Sequence, residues 1–310
     1  MPELPEVQII VDGLKKKIVG KKIVDFLSCD KKVIQFKKED VVGKKIENIE
    51  RYAKIIAIHL DSGKSLLTHL KMTGQFIWEP DGSDKKYKLK KRVAGGHPDK
   101  AWHMSLPTKH TRGVFNLNNK STLYFNDVRR FGWIKLCSTE DIINAVNKVP
   151  TKQSLSGSRL ECIGKLKDLG VDPFSKEFTA DYLAEQAKRF SNKKIKLYLM
   201  DQSIIAGIGN IYANEALYFA GIRPTRSLKN IKKNEWQKIA KSSIKALNIG
   251  LKYGGTSDDN YVNADGVAGS AQDHLKVYRR EGERCFKCDS KIVKIKMGGR
   301  GTFYCPTCQS

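Results

Sequence analysis

Four cysteines within the last 26 residues constrain the fold of this chain more than any other feature. They form two Cys-x2-Cys pairs, CFKC at 285–288 and CPTC at 305–308, with sixteen residues between them. Four thiolates at this spacing close a tetrahedral Zn²⁺ site on two turns and leave no open coordination position. The pattern therefore predicts one structural zinc, held by Cys285, Cys288, Cys305 and Cys308. Disulfide bonds are the alternative, which no apolar secretion signal supports.

The segment between the two cysteine pairs predicts a β-hairpin. Its sequence at 291–304, KIVKIKMGGRGTFY, is a basic strand, a Gly-Gly-Arg-Gly turn and a returning aromatic strand. Such a hairpin presents Arg300 at its tip, where a guanidinium can bind a phosphate through two parallel hydrogen bonds. An exposed turn arginine without a ligand is the alternative.

Charge indicates the class of partner. The formal net charge of +24, with a pI near 9.7, suits a polyanion, with nucleic acid first and an anionic membrane second. The chain contains no run of 18 apolar residues, and no apolar leader follows the first methionine, so we expect neither a membrane span nor a secretion signal. A cytoplasmic protein is expected, associated with the nucleoid if the source is prokaryotic.

Hydrophobic periodicity changes along the chain and divides it. A helical pattern at 5–19 precedes short β-rich runs up to residue 138, which indicate a sandwich or a barrel. A polar stretch follows, and the pattern is then helical to 252. We predict a β-rich domain at 1–138, a linker at 139–160, a helical domain at 161–275 with a flexible loop at 253–275, and the zinc module at 276–310.

Four short motifs occur in order along the chain: MPELPE at 1–6, DVRRFG at 127–132, GIGNIYANE at 207–215 and GRGTFYC at 299–305. Glycines at the start of a helix, as in GIGN, let a phosphate approach backbone N–H groups, but this signal alone is weak. Together the four motifs closely resemble the formamidopyrimidine-DNA glycosylase/endonuclease VIII family of base-excision repair enzymes. The resemblance covers essentially the whole chain and favours the formamidopyrimidine branch.

The resemblance implies an α+β multidomain fold: an N-terminal β-sandwich with flanking helices, a helix–two-turns–helix domain and a C-terminal zinc-finger β-hairpin. It implies a monomer that acts on double-stranded DNA containing oxidised bases or abasic sites. The activities would be excision of formamidopyrimidines and 8-oxoguanine through a Schiff base, then strand cleavage by β,δ-elimination. Alternatives are an endonuclease VIII-like specificity for oxidised pyrimidines and a non-catalytic damaged-DNA-binding protein on the same scaffold.

The same resemblance assigns catalytic roles at the amino terminus. Removal of Met1 would give Pro2 a free secondary amine, which titrates near roughly 7.7–8.0, well below the roughly 10.4 of a lysine side chain. Pro2 would be the nucleophile, Glu3 the general acid/base and Glu6 a supporting carboxylate. Acidic residues that only offset the helix dipole are the alternative for both glutamates. Lys54 and Arg300 would contact phosphate and assist catalysis.

The resemblance also implies two sets of DNA contacts. Phosphates would be bound by His69, Asn210, Tyr278 and Arg300. The void left by a flipped nucleotide would be filled by Met72, Arg129 and Phe131. The alternative for His69 is a histidine with a purely structural role. By composition alone, Met72 and Phe131 would more often be core residues.

Two regions depart from the family pattern. In the 253–275 loop the usual Gly-Lys-x-Gly lysine is Val267, and the following aromatic residue is Ser270. This difference predicts weaker excision of 8-oxoguanine than of formamidopyrimidines or oxidised pyrimidines. The basic segment at 79–109 has no counterpart in the resemblance, and we expect a long polar loop there.

Overall fold

The computed structural model describes residues 1–81, 93–96 (backbone only), 106–148, 163–164, 166–257 and 269–310. The chain forms two compact units. The first unit is Met1–Lys167 with Tyr253–Ser270, and the second is Asp168–Lys252 with Ala271–Ser310. No helix in the described ranges is long and apolar enough to cross a membrane.

The first unit contains a helix, α1 (Leu4–Ile18), and two five-stranded sheets whose strands are mostly antiparallel. The strands are β1 (Ile23–Ser28), β2 (Ile34–Gln35), β3 (Ile46–Tyr52), β4 (Ile55–Leu60), β5 (Lys64–His69), β6 (Gly74–Glu79), β7 (Val93–Gly96), β8 (Thr111–Leu117), β9 (Thr122–Asp127) and β10 (Trp133–Ser138). One sheet has the order β1-β8-β9-β6-β7 and the other β2-β10-β5-β4-β3. Of the pairs that join these strands, β2–β10 is parallel.

A single hydrophobic core joins both sheets and α1. The apolar face of the helix, including Val7, Ile10 and Leu14, packs in the same cluster as Phe76 and Phe125 of the first sheet. All six residues of β4 are buried. The β-sandwich and the helix predicted at 5–19 are therefore confirmed, and the barrel alternative is wrong, because the strands form two separate sheets.

The predicted linker begins with a helix. Helix α2 (Thr139–Val146) follows β10 directly, and its first turn is capped by Ser138, whose Oγ accepts the N–H of Asp141 at 3.4 Å. The helix has only eight residues and runs directly into a polar stretch with Pro150 and Gly157, which concealed it in the sequence. Residues 149–160 of the predicted linker lie outside the described residues, and the predicted domain boundaries stay predictions.

By sequence alone, the scattered cysteines Cys29, Cys137 and Cys162 are predicted to be small buried hydrophobic residues in a reducing cytosol. Cys29 is free but exposed, so this prediction is wrong for it. Cys137 is buried as predicted, but it is disulfide-bonded rather than reduced. Cys162 lies outside the described residues.

The second unit is helical, as predicted. Its helices are α3 (Ala180–Lys188), α4 (Ile195–Leu199), α5 (Asn210–Ala220) and α6 (Lys233–Lys252). Helix α5 ends at Gly221, which has a φ of 73° and so supplies the left-handed residue that often terminates helices. Helices α5 and α6 approach closely at Gly250, where a Cβ would lie 2.2 Å from the Tyr212 hydroxyl oxygen.

A two-stranded hairpin completes the second unit. Strands β11 (Val293–Met297) and β12 (Arg300–Tyr304) pair in register from Val293–Tyr304 to Met297–Arg300. The turn residues Gly298 and Gly299 have φ values of 56° and 75°, which a two-residue hairpin turn of this hand requires. The predicted hairpin, with Arg300 next to its turn, is therefore confirmed.

Candidate functional site

The carboxylates at the amino terminus are buried. Glu3 is 3% exposed and Glu6 is 2% exposed. Glu6 Oε2 accepts the backbone N–H of Glu3 at 2.9 Å, and Glu6 Oε1 accepts the backbone N–H of Thr256 at 2.9 Å. Glu6 thus fastens the chain terminus to the segment after α6, within the first unit. Pro2 is buried as well, whereas Met1 is exposed.

The segment after α6 is closed on itself next to this contact. The N–H of Gly269 donates to Ser257 Oγ at 2.7 Å, and the N–H of Ser270 donates to the Tyr253 carbonyl at 2.8 Å. A Cβ on Gly269 would lie 2.1 Å from the Gly255 carbonyl oxygen, so glycine permits this approach. The two described ends of the predicted 253–275 loop therefore lie side by side.

Lys54 lies in the turn that joins β3 to β4 and is 6% exposed. The preceding residue, Ala53, has a φ of 54°. Arg51 connects this turn to α1, because its Nε donates to Gln8 Oε1 at 2.8 Å and its Nη1 donates to the Ala53 carbonyl at 3.1 Å. The turn of Lys54 is thereby held to the helix that starts directly after the chain terminus.

His69 ends β5, at the same end of the sheet as Lys54. It pairs with Ile55 on one side and with Trp133 on the other. Its Nδ1 accepts the N–H of Lys71 at 2.9 Å. A neutral imidazole that accepts at Nδ1 carries its proton on Nε2, the form that can donate to a phosphate.

The predicted void-filling residues are exposed on two adjacent loops. Met72 is 40% exposed and Phe131 is 56% exposed, and the guanidinium carbon of Arg129 lies 5.4 Å from the centre of the Phe131 ring. Strands β6 and β9 pair at Gly74 and Asp127, so the loops that adjoin these two residues leave the sheet together. Neither Met72 nor Phe131 is a core residue, the alternative that composition had left open.

Asp127, the first residue of the DVRRFG motif, links these two loops, although it was not predicted as a site residue. Its side chain is fully buried. Its Oδ1 accepts the hydroxyl of Thr73 and the N–H of Arg129, the latter at 3.2 Å, and its Oδ2 accepts the N–H of Gly132 at 2.7 Å. A Cβ on Gly132 would lie 2.9 Å from Oδ2, so the contact requires glycine or a shift of the carboxylate.

A second buried carboxylate holds the 128–132 loop from the other side. Asp30, which is 8% exposed, accepts from Arg130 Nε at 2.6 Å and from Arg130 Nη2 at 3.2 Å. This bidentate pair places Arg130 at a φ of 58°. The hydrogen bond from Arg130 lowers the pKa of Asp30 below its usual value.

In the second unit, Asn210 and Arg300 are brought close together. Arg300 is exposed at the start of β12, and Asn210 begins α5. Asn210 Nδ2 donates to the carbonyl of Gly301, next to Arg300, at 3.1 Å. The buried Lys196 donates to the same carbonyl at 3.1 Å and to Thr302 Oγ1 at 2.6 Å. The hairpin is thus fastened to α4 and α5.

Tyr278 is positioned by Glu215, the last residue of the GIGNIYANE motif. The fully buried carboxylate of Glu215 accepts the N–H groups of Lys276, Val277 and Tyr278 at 2.7, 2.9 and 2.9 Å. Burial raises the pKa of Glu215, and the three N–H donors oppose that rise. The ring of Tyr278 packs edge-on against Phe303, with centroids 5.3 Å apart.

The four predicted cysteine ligands are assembled for a metal ion. Their Sγ atoms all lie within 4.8 Å of one another. The Cys285–Cys308 and Cys288–Cys305 sulfurs are 3.9 and 3.4 Å apart, against about 3.8 Å in a tetrahedron with Zn–S bonds near 2.3 Å. Backbone N–H groups of Lys287 and Cys308 also point at sulfurs, which favours thiolates. The protein holds one structural zinc here, and the predicted ion is confirmed.

Family models match three successive parts of the chain. The Formamidopyrimidine-DNA glycosylase N-terminal domain matches residues 1–134, and the Formamidopyrimidine-DNA glycosylase H2TH domain matches residues 169–261. The zinc finger found in FPG and IleRS matches residues 282–310. The formamidopyrimidine-DNA glycosylase of Pelotomaculum thermopropionicum is 35% identical over 314 residues, which cover 100% of this chain and 99% of that one.

The chain belongs to the formamidopyrimidine-DNA glycosylase family. The family member of Carboxydothermus hydrogenoformans is 34% identical over 315 residues, with 100% of both chains covered. Among solved structures, the chain is similar to Lactococcus lactis Fpg in complex with abasic-site DNA, with a TM-score of 0.80, 29% identity and 99% of each chain covered. MutM in complex with DNA containing carbocyclic 8-oxo-G gives a TM-score of 0.79 at 28% identity, with 100% of both chains covered.

The predicted site residues divide between the two units. The first unit contains Pro2, Glu3, Glu6, Lys54, His69, Met72, Arg129 and Phe131, and the second contains Asn210, Tyr278, Arg300 and the four cysteines. The buried carboxylates Asp127 and Glu215 were not predicted as site residues, although each lies inside a quoted motif. Val267 and most of the basic segment at 79–109 lie outside the described residues. The loop predicted there is wrong for Val93–Gly96, which form β7 and pair with β6.

Proposed function

We propose that this chain excises oxidised bases from double-stranded DNA and cleaves the strand at the resulting abasic site. The observation that carries this proposal is the buried carboxylate of Glu6, which holds the backbone directly after Pro2 in place. Relatives of this chain have been solved with DNA containing an abasic site, Fapy-dG or carbocyclic 8-oxo-G. We propose a monomer that works at the chromosome in the cytoplasm.

The first chemical step is attack by the amino terminus. Once Met1 is removed, the Pro2 nitrogen bonds to C1′ of the damaged nucleotide, the glycosidic bond breaks, and the base leaves with a proton. A secondary amine can form a positively charged iminium in this way without further activation. Its pKa, near that of ordinary α-amino groups, leaves a useful neutral fraction at pH 7.

Glu3 and Glu6 divide the remaining work at the terminus. Glu3 protonates the ring oxygen of the deoxyribose and so helps the sugar open. Glu6 is a positioning residue, because its two oxygens already accept the N–H groups of Glu3 and Thr256. Loss of these hydrogen bonds would let the Pro2–Glu3 segment move, and a misplacement of about 1 Å can cost on the order of 10²-fold in rate.

Strand cleavage follows from the iminium. The iminium acidifies C2′, so a proton leaves C2′ and the 3′ phosphate departs; a second elimination then releases the 5′ phosphate. Water then hydrolyses the remaining iminium, which frees the Pro2 nitrogen and releases the sugar remnant as an aldehyde. Lys54 assists as a phosphate-contacting cation, supported by its turn at the end of the sheet where His69 also lies.

A flipped nucleotide leaves a gap in the duplex, which we assign to the exposed loop residues. Phe131 is placed to wedge between bases, Met72 fills irregular space, and Arg129 hydrogen-bonds the unpaired opposite base. Their exposure, and the Asp127 contacts that hold both loops, support this role. Phosphate contacts from His69, Asn210, Tyr278 and Arg300 make binding steeply dependent on salt.

A trapping experiment tests this function. Mass spectrometry first establishes whether the mature chain begins at Pro2. Borohydride is then added to the protein on duplexes that contain 8-oxoguanine, a formamidopyrimidine, an oxidised pyrimidine or an abasic site. We expect a covalent adduct, with 8-oxoguanine weaker than the formamidopyrimidine because Val267 replaces a lysine.

The control is the same chain with a peptide fused ahead of Met1, which converts the Pro2 nitrogen to an amide and should abolish the adduct. If the unfused chain binds damaged DNA but forms no adduct, it is a binding protein and the proposed chemistry is wrong. Strong preference for 8-oxoguanine opposite cytosine would contradict the prediction made from Val267.

A further inference from the structure

Arg279 has an unusual backbone conformation. Its φ of 58° lies in the left-handed region, which residues with a Cβ rarely adopt and which glycine adopts without steric cost. The neighbouring backbone enforces this turn. Glu215 fixes the N–H of Tyr278, and the N–H of Arg280 donates to the Val277 carbonyl at 3.1 Å. An arginine here is strained, and such strain is concentrated at functional sites.

The side chain of Arg279 lines an open cavity in the second unit. The cavity has a volume of about 420 Å³ and lies between the start of α5 and the zinc hairpin. Asn210, Tyr278 and Gly301 also line it, together with Lys294. Asn210 and Tyr278 are candidate phosphate contacts from the family resemblance, and Gly301 adjoins a third, Arg300.

The charges of the cavity favour an anion. Its lining contains two cations, Arg279 and Lys294, and one carboxylate, Glu281. Lys294 Nζ lies 3.2 Å from Glu281, so the charge of this lysine is largely compensated. With two cations and one carboxylate, the lining carries a net positive charge. Its guanidinium carbon lies 5.9 Å from the centre of the Tyr278 ring, which keeps the guanidinium beside the tyrosine.

We propose that Arg279 binds a phosphodiester of the DNA backbone in this cavity, in addition to the contacts of Asn210, Tyr278 and Arg300. This inference rests on the proposed function and names a further binding residue for it. A guanidinium presents parallel N–H donors that match two phosphate oxygens. The contact is independent of base sequence, so it strengthens binding to damaged and undamaged duplexes alike.

The substitution Arg279→Gly tests the proposal because it separates strain from binding. Glycine relieves the left-handed backbone, so we expect the Tm to equal or exceed that of the wild type. Binding to an undamaged duplex should weaken. The plot of the logarithm of the association constant against the logarithm of the salt concentration should become shallower by about 0.9. Relative to the wild type, this corresponds to about eightfold weaker binding at 0.1 M salt. Arg279→Lys retains the charge and should recover most of the slope.

Lys120→Gly is the matched control. Lys120 is an exposed cation with a φ of 62°, in the turn between β8 and β9, so its replacement makes the same change of charge and backbone outside the cavity. We expect its salt slope to match the wild type. An unchanged slope for Arg279→Gly, or an equal loss for Lys120→Gly, would overturn the proposal. Failure of wild-type borohydride trapping would instead contradict the proposed function.

Discussion

The two units hold their exposed loops in place by different means. In the first unit, the loop of Arg129 and Phe131 is held by the buried carboxylates Asp127 and Asp30, on top of a core shared by two sheets and a helix. In the second unit, the hairpin of Arg300 packs on a small cluster that includes cysteine ligands. Buried ionic groups act in both units, since Lys196 also holds the hairpin, but the small cluster beneath the hairpin needs a metal ion in addition.

Removal of zinc should have the largest effect and should act on the second unit. Structural zinc contributes on the order of 10–16 kcal/mol in small zinc modules, so chelation or Cys305→Ser should unfold the hairpin and abolish DNA binding. Hydrogen exchange should show lost protection in β11 and β12 but retained protection in β4 and β5. The control Cys29→Ser removes a free, exposed thiol and should retain the metal. Equal loss of protection in both units would show that zinc does not act specifically on the second unit.

Replacement of Asp127 should be the most damaging single change to a loop of the first unit. Asp127→Asn places an amide where three donors converge, which should reduce the free energy of unfolding by about 3 kcal/mol. The rate of excision should fall by a larger factor than the affinity for undamaged DNA, because the loops that fill the gap are no longer held in position. The control Asp61→Asn changes an exposed turn carboxylate. Arg129, which Asp127 holds, is assigned to the unpaired opposite base. If Asp127→Asn leaves the excision rates opposite each of the four bases in the same ratio, Asp127 does not position Arg129.

Glu6→Gln should have a smaller effect on stability and a large one on chemistry. One of its two N–H contacts, to Glu3 or to Thr256, is lost, at a cost of about 1.5–3 kcal/mol. The rate of adduct formation on abasic DNA should fall about tenfold or more while DNA binding is retained. Asp12→Asn, on an exposed position of the same helix, is the control. A normal trapping rate for Glu6→Gln would show that the terminus needs no such fastening.

The smallest effect concerns the Asp30–Arg130 pair and its pH dependence. Because the pKa of Asp30 is lowered in the folded protein, its stabilisation is present above the unfolded value near 3.9 and is lost as the pH falls through the folded value. The Tm of Asp30→Asn should therefore lie below that of the wild type at pH 6 and approach it as the pH falls through the lowered pKa of Asp30. A constant difference across this range would show that the ion pair does not stabilise the loop.

Much of the fold followed from local patterns. Helix α1 and the hairpin were predicted closely, because apolar spacing and a Gly-Gly turn act within a few residues. Helix α2 was missed because it is only eight residues long, too short for its apolar period to stand out beside the polar stretch that follows it. The exposure of Met72 and Phe131 contradicts what composition favours, and only the family resemblance predicted it.

The sequence by itself determined the chemistry available at each end of the chain: a proline next to two glutamates, and four cysteines at the spacing of a zinc site. Both depend on residues close together in the chain, so spacing suffices to recognise them. Only the tertiary structure decided which backbone groups the buried carboxylates bind. Glu6 meets Thr256 across 250 residues and Glu215 meets Val277 across 62, and such contacts arise from packing of whole elements rather than from local spacing.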